Sequence, residues 1–335
     1  MTILTFYFRY SMSQFCCRIK LSLLSKYRSE IMGIAIVLII LFHSSSYIGP
    51  YPILNSLFGF GWLGVDFFLL VSGMGLCFSQ WTTIKEYLCK RLLRILPTFW
   101  LVLAIFLLLD IISGTNISLL DYCIKVTTLG FWVGNHYEYW YISAIIALYV
   151  LFLWFRRFEG KKVFFLIVLL SFVMCLFLFY LEKGLDTSTN RFLFFSRIPI
   201  FLVGIYIGKA LKKNAQTEVS CYFLVGGGIL FLCLFLFLCK ADWDFCLRSG
   251  ILMIIACFFI PSIAYIMCIL MEKKYLSIYR VLKFFGGITL ELYLIHGLVL
   301  LYMHSNFLEV GFAFPISVLF AWILHLLSKR YQLVK

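Results

Sequence analysis

The sequence predicts an all-α polytopic membrane protein, a bundle of about ten transmembrane helices with both termini in the cytoplasm. Hydrophobic residues make up 63% of the 335 residues and charged residues only 13%, and the mean hydropathy is +1.01. A soluble domain of this length would need far more polar surface to cover its core. Apolar runs of about 20 residues, separated by short polar breaks, are typical of membrane-spanning helices.

Ten transmembrane spans are predicted in chain order. They lie at 30–48, 62–80, 95–112, 139–155, 163–181, 194–211, 220–239, 248–271, 285–304 and 310–327. Pro97 is expected in the first turn of the third span, where a missing N–H does no harm. Trp62, Trp81, Trp140 and Trp243 fall at predicted membrane interfaces, where tryptophan is enriched. The short links between spans leave no room for a separate soluble domain.

The distribution of basic residues predicts the orientation. With the N-terminus inside, most of the 29 lysines and arginines fall in cytoplasmic segments, which favours cytoplasmic termini. The net charge of +14 is then explained by topology, and no nucleic-acid partner is predicted. The chain divides into a basic and aromatic cytoplasmic lead-in at 1–27, a transmembrane domain at 28–328 and a short basic cytoplasmic tail at 329–335.

Several function classes are not supported by any motif. The twelve cysteines are scattered, mostly within predicted spans, and include no CxxC pair. This spacing favours apolar packing over a metal site or a disulfide framework. No Walker loop or GxGxxG element precedes a helix, which argues against nucleotide hydrolysis.

Two polar residues within the first two spans are candidates for catalysis. His43 lies in the outer part of the first span, and Asp66 lies about one turn into the second, which runs the opposite way. We therefore expect the two side chains at similar depth on neighbouring helices. A carboxylate can fix the tautomer of an imidazole that acts as a general base. Alternatively, the histidine donates a hydrogen bond between helices and the aspartate caps a helix.

A basic cluster precedes the third span, in "KEYLCKRLLRILP". Lys85, Lys90, Arg91 and Arg94 lie on the predicted cytoplasmic side, and Lys90 and Arg94 share a face if the segment is helical. Such a cluster could bind the phosphates of an anionic cofactor. The alternative is positive-inside topology with contacts to anionic lipid.

Five segments together resemble the membrane-bound acyltransferase 3 family in order and spacing. They are "RSEIMGIAIVLIILFHS", "GWLGVDFFLLVSGMGL", "KRLLRILP", "SRIPIFLVG" and "FFGGITLELYLIH". The resemblance runs from about Arg28 to the final helix. It implies a ten-helix enzyme of the bacterial cytoplasmic (inner) membrane that O-acylates, most often O-acetylates, surface carbohydrates. It also implies an acyl-CoA donor, acetyl-CoA above all, on the cytoplasmic side and a carbohydrate acceptor on the outer side. No metal is predicted, because the cysteines lack the spacing of a metal site.

The resemblance assigns roles to individual positions. It implies that His43 acts in acyl transfer as general base or acyl carrier, assisted by Asp66. The further positions that match family motifs are Arg91 and Arg94 before Pro97, Ser196, Arg197 and Pro199, and Tyr293 to His296.

The sequence departs from the family pattern in two places. Family members commonly carry an arginine or lysine where this chain has Met32; Arg28 lies one turn earlier and about 40° around the helix. Our hypothesis is that Arg28 replaces the missing basic residue, so that Arg28, Lys90, Arg91 and Arg94 bind the donor. The fourth span, "WYISAIIALY", also lacks the glutamates that many members have.

Three residues are candidates for substrate binding, each with a structural alternative. Arg197 contacts the acceptor or extends to the membrane interface. His296 lines the cavity or bonds between helices. Trp140, at the end of "NHYEYW" (135–140), stacks on a sugar or belongs to the aromatic belt.

Four further residues receive structural predictions. Glu291 and His296 diverge by about 140° on a regular helix and should not form one dyad. His325 is expected to be structural, and Gly73 and Gly75 are expected to allow close helix contact.

The rival functional prediction is a transporter or flippase for a lipid-linked sugar or small molecule. Buried histidine and aspartate residues also serve in proton relays. The sequence shows no clear inverted repeat or matched pair of broken helices, which argues against it. A structural partner in a polysaccharide assembly complex is a weaker alternative.

Overall fold

The computed structural model describes residues 18–45, 51–114, 118–133, 139–158, 160–184, 190–214, 218–220, 226–273, 278–302 and 307–333. Most of the predicted lead-in, residues 1–17, lies outside these ranges, as does 135–138 of the "NHYEYW" segment. The described chain is helical apart from two short strands. Strand β1, Arg18–Lys20, pairs antiparallel with β2, Glu218–Ser220, and Ile19 lies opposite Val219.

Within the described residues, the first half of the chain forms nine helices, with a 3₁₀ turn at Phe60–Leu63. The helices are α1 Ser22–Lys26, α2 Arg28–Ser44, α3 Pro52–Gly59, α4 Gly64–Leu76, α5 Ile84–Ile112, α6 Leu119–Val126, α7 Gly130–Val133, α8 Trp140–Phe155 and α9 Lys161–Gly184.

The described part of the second half continues with eight helices. They are α10 Phe192–Phe195, α11 Ile198–Lys213, α12 Gly227–Ala241, α13 Trp243–Arg248, α14 Ile251–Glu272, α15 Tyr279–Gly287, α16 Thr289–Tyr302 and α17 Phe307–Leu333.

Six helical segments of the described residues are long and apolar enough to cross a membrane. They are Ile53–Leu76, Ile84–Ile112, Lys162–Gly184, Phe192–Lys213, Ile251–Glu272 and Gly311–Ser328. A seventh span is possible if α15 and α16, which meet at a bend of 83°, cross as one unit, while α8 and α12 are shorter apolar helices. Each of the ten expected spans overlaps a helix, but ten crossings and cytoplasmic termini stay predictions.

The position of Pro97 differs from the expected one. Helix α5 begins at Ile84, where the Thr83 side chain accepts a hydrogen bond of 3.1 Å from the Glu86 amide. Pro97 therefore lies inside the helix and not in its first turn. The predicted span begins at the first residues of the apolar run. In the structure, the Thr83 cap starts the helix earlier, at the basic segment that precedes this run.

Close helix packing surrounds α4. This helix packs most extensively against α11, with α2 on another side. A Cβ added to Gly73 would meet the Phe201 carbonyl, and one added to Gly204 would meet the Leu70 carbonyl. The predicted close contact at Gly73 is thus confirmed, and the two glycines bring α4 and α11 together.

Candidate functional site

A histidine pair joins α2 to α16. His43 Nδ1 lies 3.0 Å from His296 Nε2, and the two ring centroids are 5.0 Å apart. His296 is 3% exposed, whereas His43 is exposed and its ring also packs edge-on against Phe42. The pair therefore connects a buried position to the protein surface.

The partners of the two rings determine where their protons lie. His296 Nδ1 bonds the Leu292 carbonyl at 3.0 Å, and a carbonyl oxygen can only accept. When both rings are neutral, His296 Nε2 is thus an acceptor and His43 Nδ1 donates to it. Nε2 of His43 then retains a lone pair that can accept a proton.

Asp66 pairs with Arg197 and makes no hydrogen bond to His43. Asp66 Oδ1 lies 3.8 Å from Arg197 Nε, both residues are buried, and neither carboxylate oxygen has a hydrogen-bond partner in the described part of the chain. The direct pairing of Asp66 with His43 expected from the sequence is therefore wrong. Similar depth on neighbouring helices does not fix the direction in which a side chain points. The guanidinium of Arg197, the residue immediately before α11, lies next to Asp66 instead.

Arg197 is also buried instead of extending to the membrane interface. Its guanidinium lies 5.7 Å from the centroid of the Trp62 ring and 5.0 Å from that of Trp140, and Nη1 donates to the Leu193 carbonyl at 3.2 Å. Trp62 is itself buried, so it does not belong to an interfacial belt. These aromatic contacts and the nearby carboxylate of Asp66 stabilise a cation inside the protein.

A cavity of about 960 Å³ is lined by the predicted basic residues Arg28, Lys90 and Arg94. Met32 lines the same cavity, and the Arg28 guanidinium packs on Gly75 of α4. Lys90 and Arg94 reach it from one face of α5, as the i,i+4 spacing predicts. Arg28 thus lies one helical turn from Met32 in the same wall of the cavity. This is the position it must occupy if it replaces the basic residue that is missing at Met32.

Arg91 does not line the cavity but lies close by. Its guanidinium is 5.8 Å from the Tyr87 ring centroid, and it precedes the cavity residue Arg94 by three residues on α5. Lys90 is held by Glu86, with Nζ 2.6 Å from Oε1. An anionic ligand would therefore meet arginines that form no ion pair with any residue the structure describes, and it would compete with Glu86 for Lys90.

An aromatic wall separates the cavity from the histidine pair. Tyr141 and Tyr293 line the cavity, and their ring centroids are 5.3 Å apart. The ring centroid of Tyr293 is also 5.8 Å from that of His296, which does not line the cavity. One side chain thus lies between the basic cavity and the histidines.

Sequence reasoning missed a second polar group in the cavity. His325 Nδ1 lies 2.8 Å from Glu291 Oε1, and both residues line the cavity with Ser328. His325 was expected to be structural, and the absence of a Glu291–His296 dyad was predicted correctly. The sequence contained one feature from which this group could have been predicted: the i,i+3 spacing of His325 and Ser328 places both side chains on one face of a helix.

The part of the chain that the structure describes contains no group of three or more histidine, cysteine, aspartate or glutamate side chains placed to hold a metal ion. The groups that could hold a cofactor are the basic residues of the cavity.

Comparison with known proteins identifies the family. A family model described as an acyltransferase domain, that of the acyltransferase 3 family, matches residues 32–327. Neither the curated proteins nor the solved structures gave a significant match. The matched range includes both histidines, the Asp66–Arg197 pair and most of the cavity lining. The chain belongs to the acyltransferase 3 family and is a multi-pass membrane acyltransferase.

Proposed function

We propose that this protein transfers an acyl group, acetyl in the first instance, from cytoplasmic acyl-CoA to a hydroxyl of a surface or lipid-linked carbohydrate. The proposal places the chain in a bacterial cytoplasmic membrane, with ten crossings and both termini inside. The observation that carries it is the histidine pair, which lies one tyrosine layer away from a cavity with a basic lining.

The cavity suits an anionic donor with a long arm. Its volume of about 960 Å³ is at the upper end of the range for ligand pockets, roughly 300–1,000 Å³. Arg28, Lys90 and Arg94 would hold the phosphates, and guanidinium groups bind phosphate with two parallel hydrogen bonds. Because charged phosphates cannot cross the hydrocarbon cheaply, they would stay at the cavity while the thioester reaches toward Tyr293.

His43 would act on the acceptor from the exposed end of the pair. Its Nε2 accepts the hydroxyl proton, the alkoxide oxygen bonds to the thioester carbonyl carbon, and the carbon–sulfur bond breaks. The proton then passes from His43 to the departing sulfur, which leaves as the free thiol. In the alternative order, Nε2 attacks the thioester carbon and the carbon–sulfur bond breaks, which releases the CoA thiolate. The acceptor hydroxyl then takes the acyl group from Nε2, and its proton goes to the thiolate.

The other predicted site residues receive indirect roles in this scheme. Asp66 and Arg197 are too deeply buried to touch a carbohydrate and would position the helices that carry the site. His296 would orient His43 through the shared hydrogen bond. Trp140, half-buried with Arg197 close to its ring, remains the candidate for contact with a sugar.

The test is transfer of label from acetyl-CoA to candidate glycans in membrane vesicles, comparing the wild type with His43→Ala. We expect acylated glycan from the wild type and none from the variant, with unchanged CoA binding and thermal unfolding as proof that the variant is folded. Movement of a glycan across the membrane without acyl transfer would support the transporter instead. Equal incorporation by the variant would remove His43 from the mechanism.

A further inference from the structure

The Glu291, His325 and Ser328 side chains form a polar cluster in the cavity that the proposed mechanism does not use. Glu291 Oε1 lies 2.8 Å from His325 Nδ1 and 3.4 Å from the Ser328 hydroxyl, whose single proton is shared with the His325 carbonyl at 3.0 Å. Two of the three residues come from α17, and Glu291 comes from the first turn of α16.

Only one oxygen of the carboxylate is used by these contacts. Both hydrogen bonds go to Oε1, and Oε2 accepts none from the residues that the structure describes. The Glu291 side chain is 8% exposed and lines the cavity. Because Glu291 lines the cavity, its Oε2 can accept a hydrogen bond from a ligand in the cavity that donates one.

The position of Glu291 along α16 indicates which part of a donor it meets. Glu291 precedes His296 by five residues, a rise of roughly 7.5 Å along the helix axis. Tyr293, the wall residue, lies between them in sequence. If the phosphates are bound by Arg28, Lys90 and Arg94 and the thioester reaches the tyrosine wall, the pantetheine arm lies in this cavity. Its two amide N–H groups and one hydroxyl are the hydrogen-bond donors between those ends.

We propose that Glu291, held in place by His325 and Ser328, binds an amide N–H of the donor's pantetheine arm. The inference rests on the proposed function and adds a donor-binding residue to it. The basic residues would bind the nucleotide end of the donor and Glu291 its arm, so the two groups should respond differently to truncated donors.

The experiment compares acetyl-CoA with acetyl-pantetheine, which keeps the arm and lacks the nucleotide. In Glu291→Leu we expect KM to rise about tenfold for both donors with kcat little changed, because one hydrogen bond to a carboxylate is lost in each case. Glu291→Gln keeps one acceptor oxygen and should show a smaller rise. Glu272→Leu is the matched control, because Glu272 is an exposed carboxylate whose partner, Lys26, lies outside the cavity.

The possible outcomes separate this inference from the proposed function. A wild-type KM in Glu291→Leu, or a rise confined to acetyl-CoA, would overturn the inference while leaving the enzyme assignment intact. If Glu291→Leu does not fold, His325→Asn serves in its place, with a smaller rise expected for both donors and the same contrary results. Failure of the wild type to use either donor would overturn the proposed function and the inference with it.

Discussion

Asp66 Oδ1 lies 3.8 Å from Arg197 Nε, and the two residues are 0% and 2% exposed. They make no hydrogen bond to each other, and Arg197 Nε has no hydrogen-bond partner in the described residues. Each charge is therefore stabilised mainly by the other and by the tryptophan rings beside Arg197. An intact buried pair contributes little to the net free energy of folding, because the loss of hydration offsets the attraction between the charges. Removal of one partner leaves the other charge buried without a counter-charge, which is strongly destabilising.

The first prediction concerns this ion pair. Asp66→Ala should lower the free energy of unfolding by about 3–5 kcal/mol, because Arg197 is left buried without a counter-charge. The double variant Asp66→Leu, Arg197→Leu should recover most of the loss. Thermal unfolding of the purified protein in detergent measures both. A double variant no more stable than Asp66→Ala would contradict the view that uncompensated charge is the cause.

The second prediction tests the hydrogen bond between the histidines. His296→Phe removes the acceptor that orients His43, and we expect kcat to fall about 100-fold, within the range for loss of acid–base assistance. KM for the donor should not change, because His296 does not line the cavity. His296→Gln, whose amide oxygen can accept from His43, should restore part of kcat. Wild-type kcat in His296→Phe, or a change confined to KM, would exclude this role.

Local pattern was enough to predict some features of the site. The i,i+4 spacing of Lys90 and Arg94 depends only on helix geometry, and both residues do line one cavity. The location of Arg28 in the cavity wall follows from helix geometry as well, because one helical turn separates it from Met32 on α2. The apolar composition predicted the helical membrane fold in the same way, although neither the number of crossings nor the helix starts follow from it.

Long-range pairing could not be derived from spacing. His43 and His296 are 253 residues apart in the sequence, and their contact depends on how α16 packs against α2 after the 83° bend. Asp66 was assigned to His43 on the preceding predicted span, whereas its partner, Arg197, lies immediately before α11. That helix reaches Asp66 because glycines allow it to pack closely on α4. The packing of the helices thus determines which residues Asp66 and His43 contact, and this packing cannot be derived from a single sequence.

The third prediction tests that close packing. A Cβ at Gly73 would overlap the Phe201 carbonyl, so Gly73→Ala must push α4 and α11 apart and should cost about 1–3 kcal/mol of stability. Gly59→Ala is the matched control, because a Cβ there meets nothing within 4 Å and alanine is a better helix former than glycine. Thermal unfolding should show a loss for the first variant and none for the second. Equal stability of the two variants would contradict the packing argument.

The fourth prediction separates the phosphate contacts from the rest of the donor site. Arg94→Gln removes one charge from the cavity, and we expect KM for acetyl-CoA to rise about tenfold, as for loss of one charge-assisted hydrogen bond. KM for acetyl-pantetheine, which has no phosphates next to Arg94, should stay the same. The effect should also shrink as salt is added, because phosphate binding to an exposed arginine is screened.

Arg248→Gln is the control for this experiment. Arg248 is an exposed arginine paired with Asp244 at 3.0 Å, and it does not line the cavity, so its loss removes the same charge from the protein without touching the donor. If Arg248→Gln raised KM for acetyl-CoA as much as Arg94→Gln, the effect would come from overall charge. An equal rise for both donors in Arg94→Gln would mean that Arg94 shapes the cavity and does not bind phosphate.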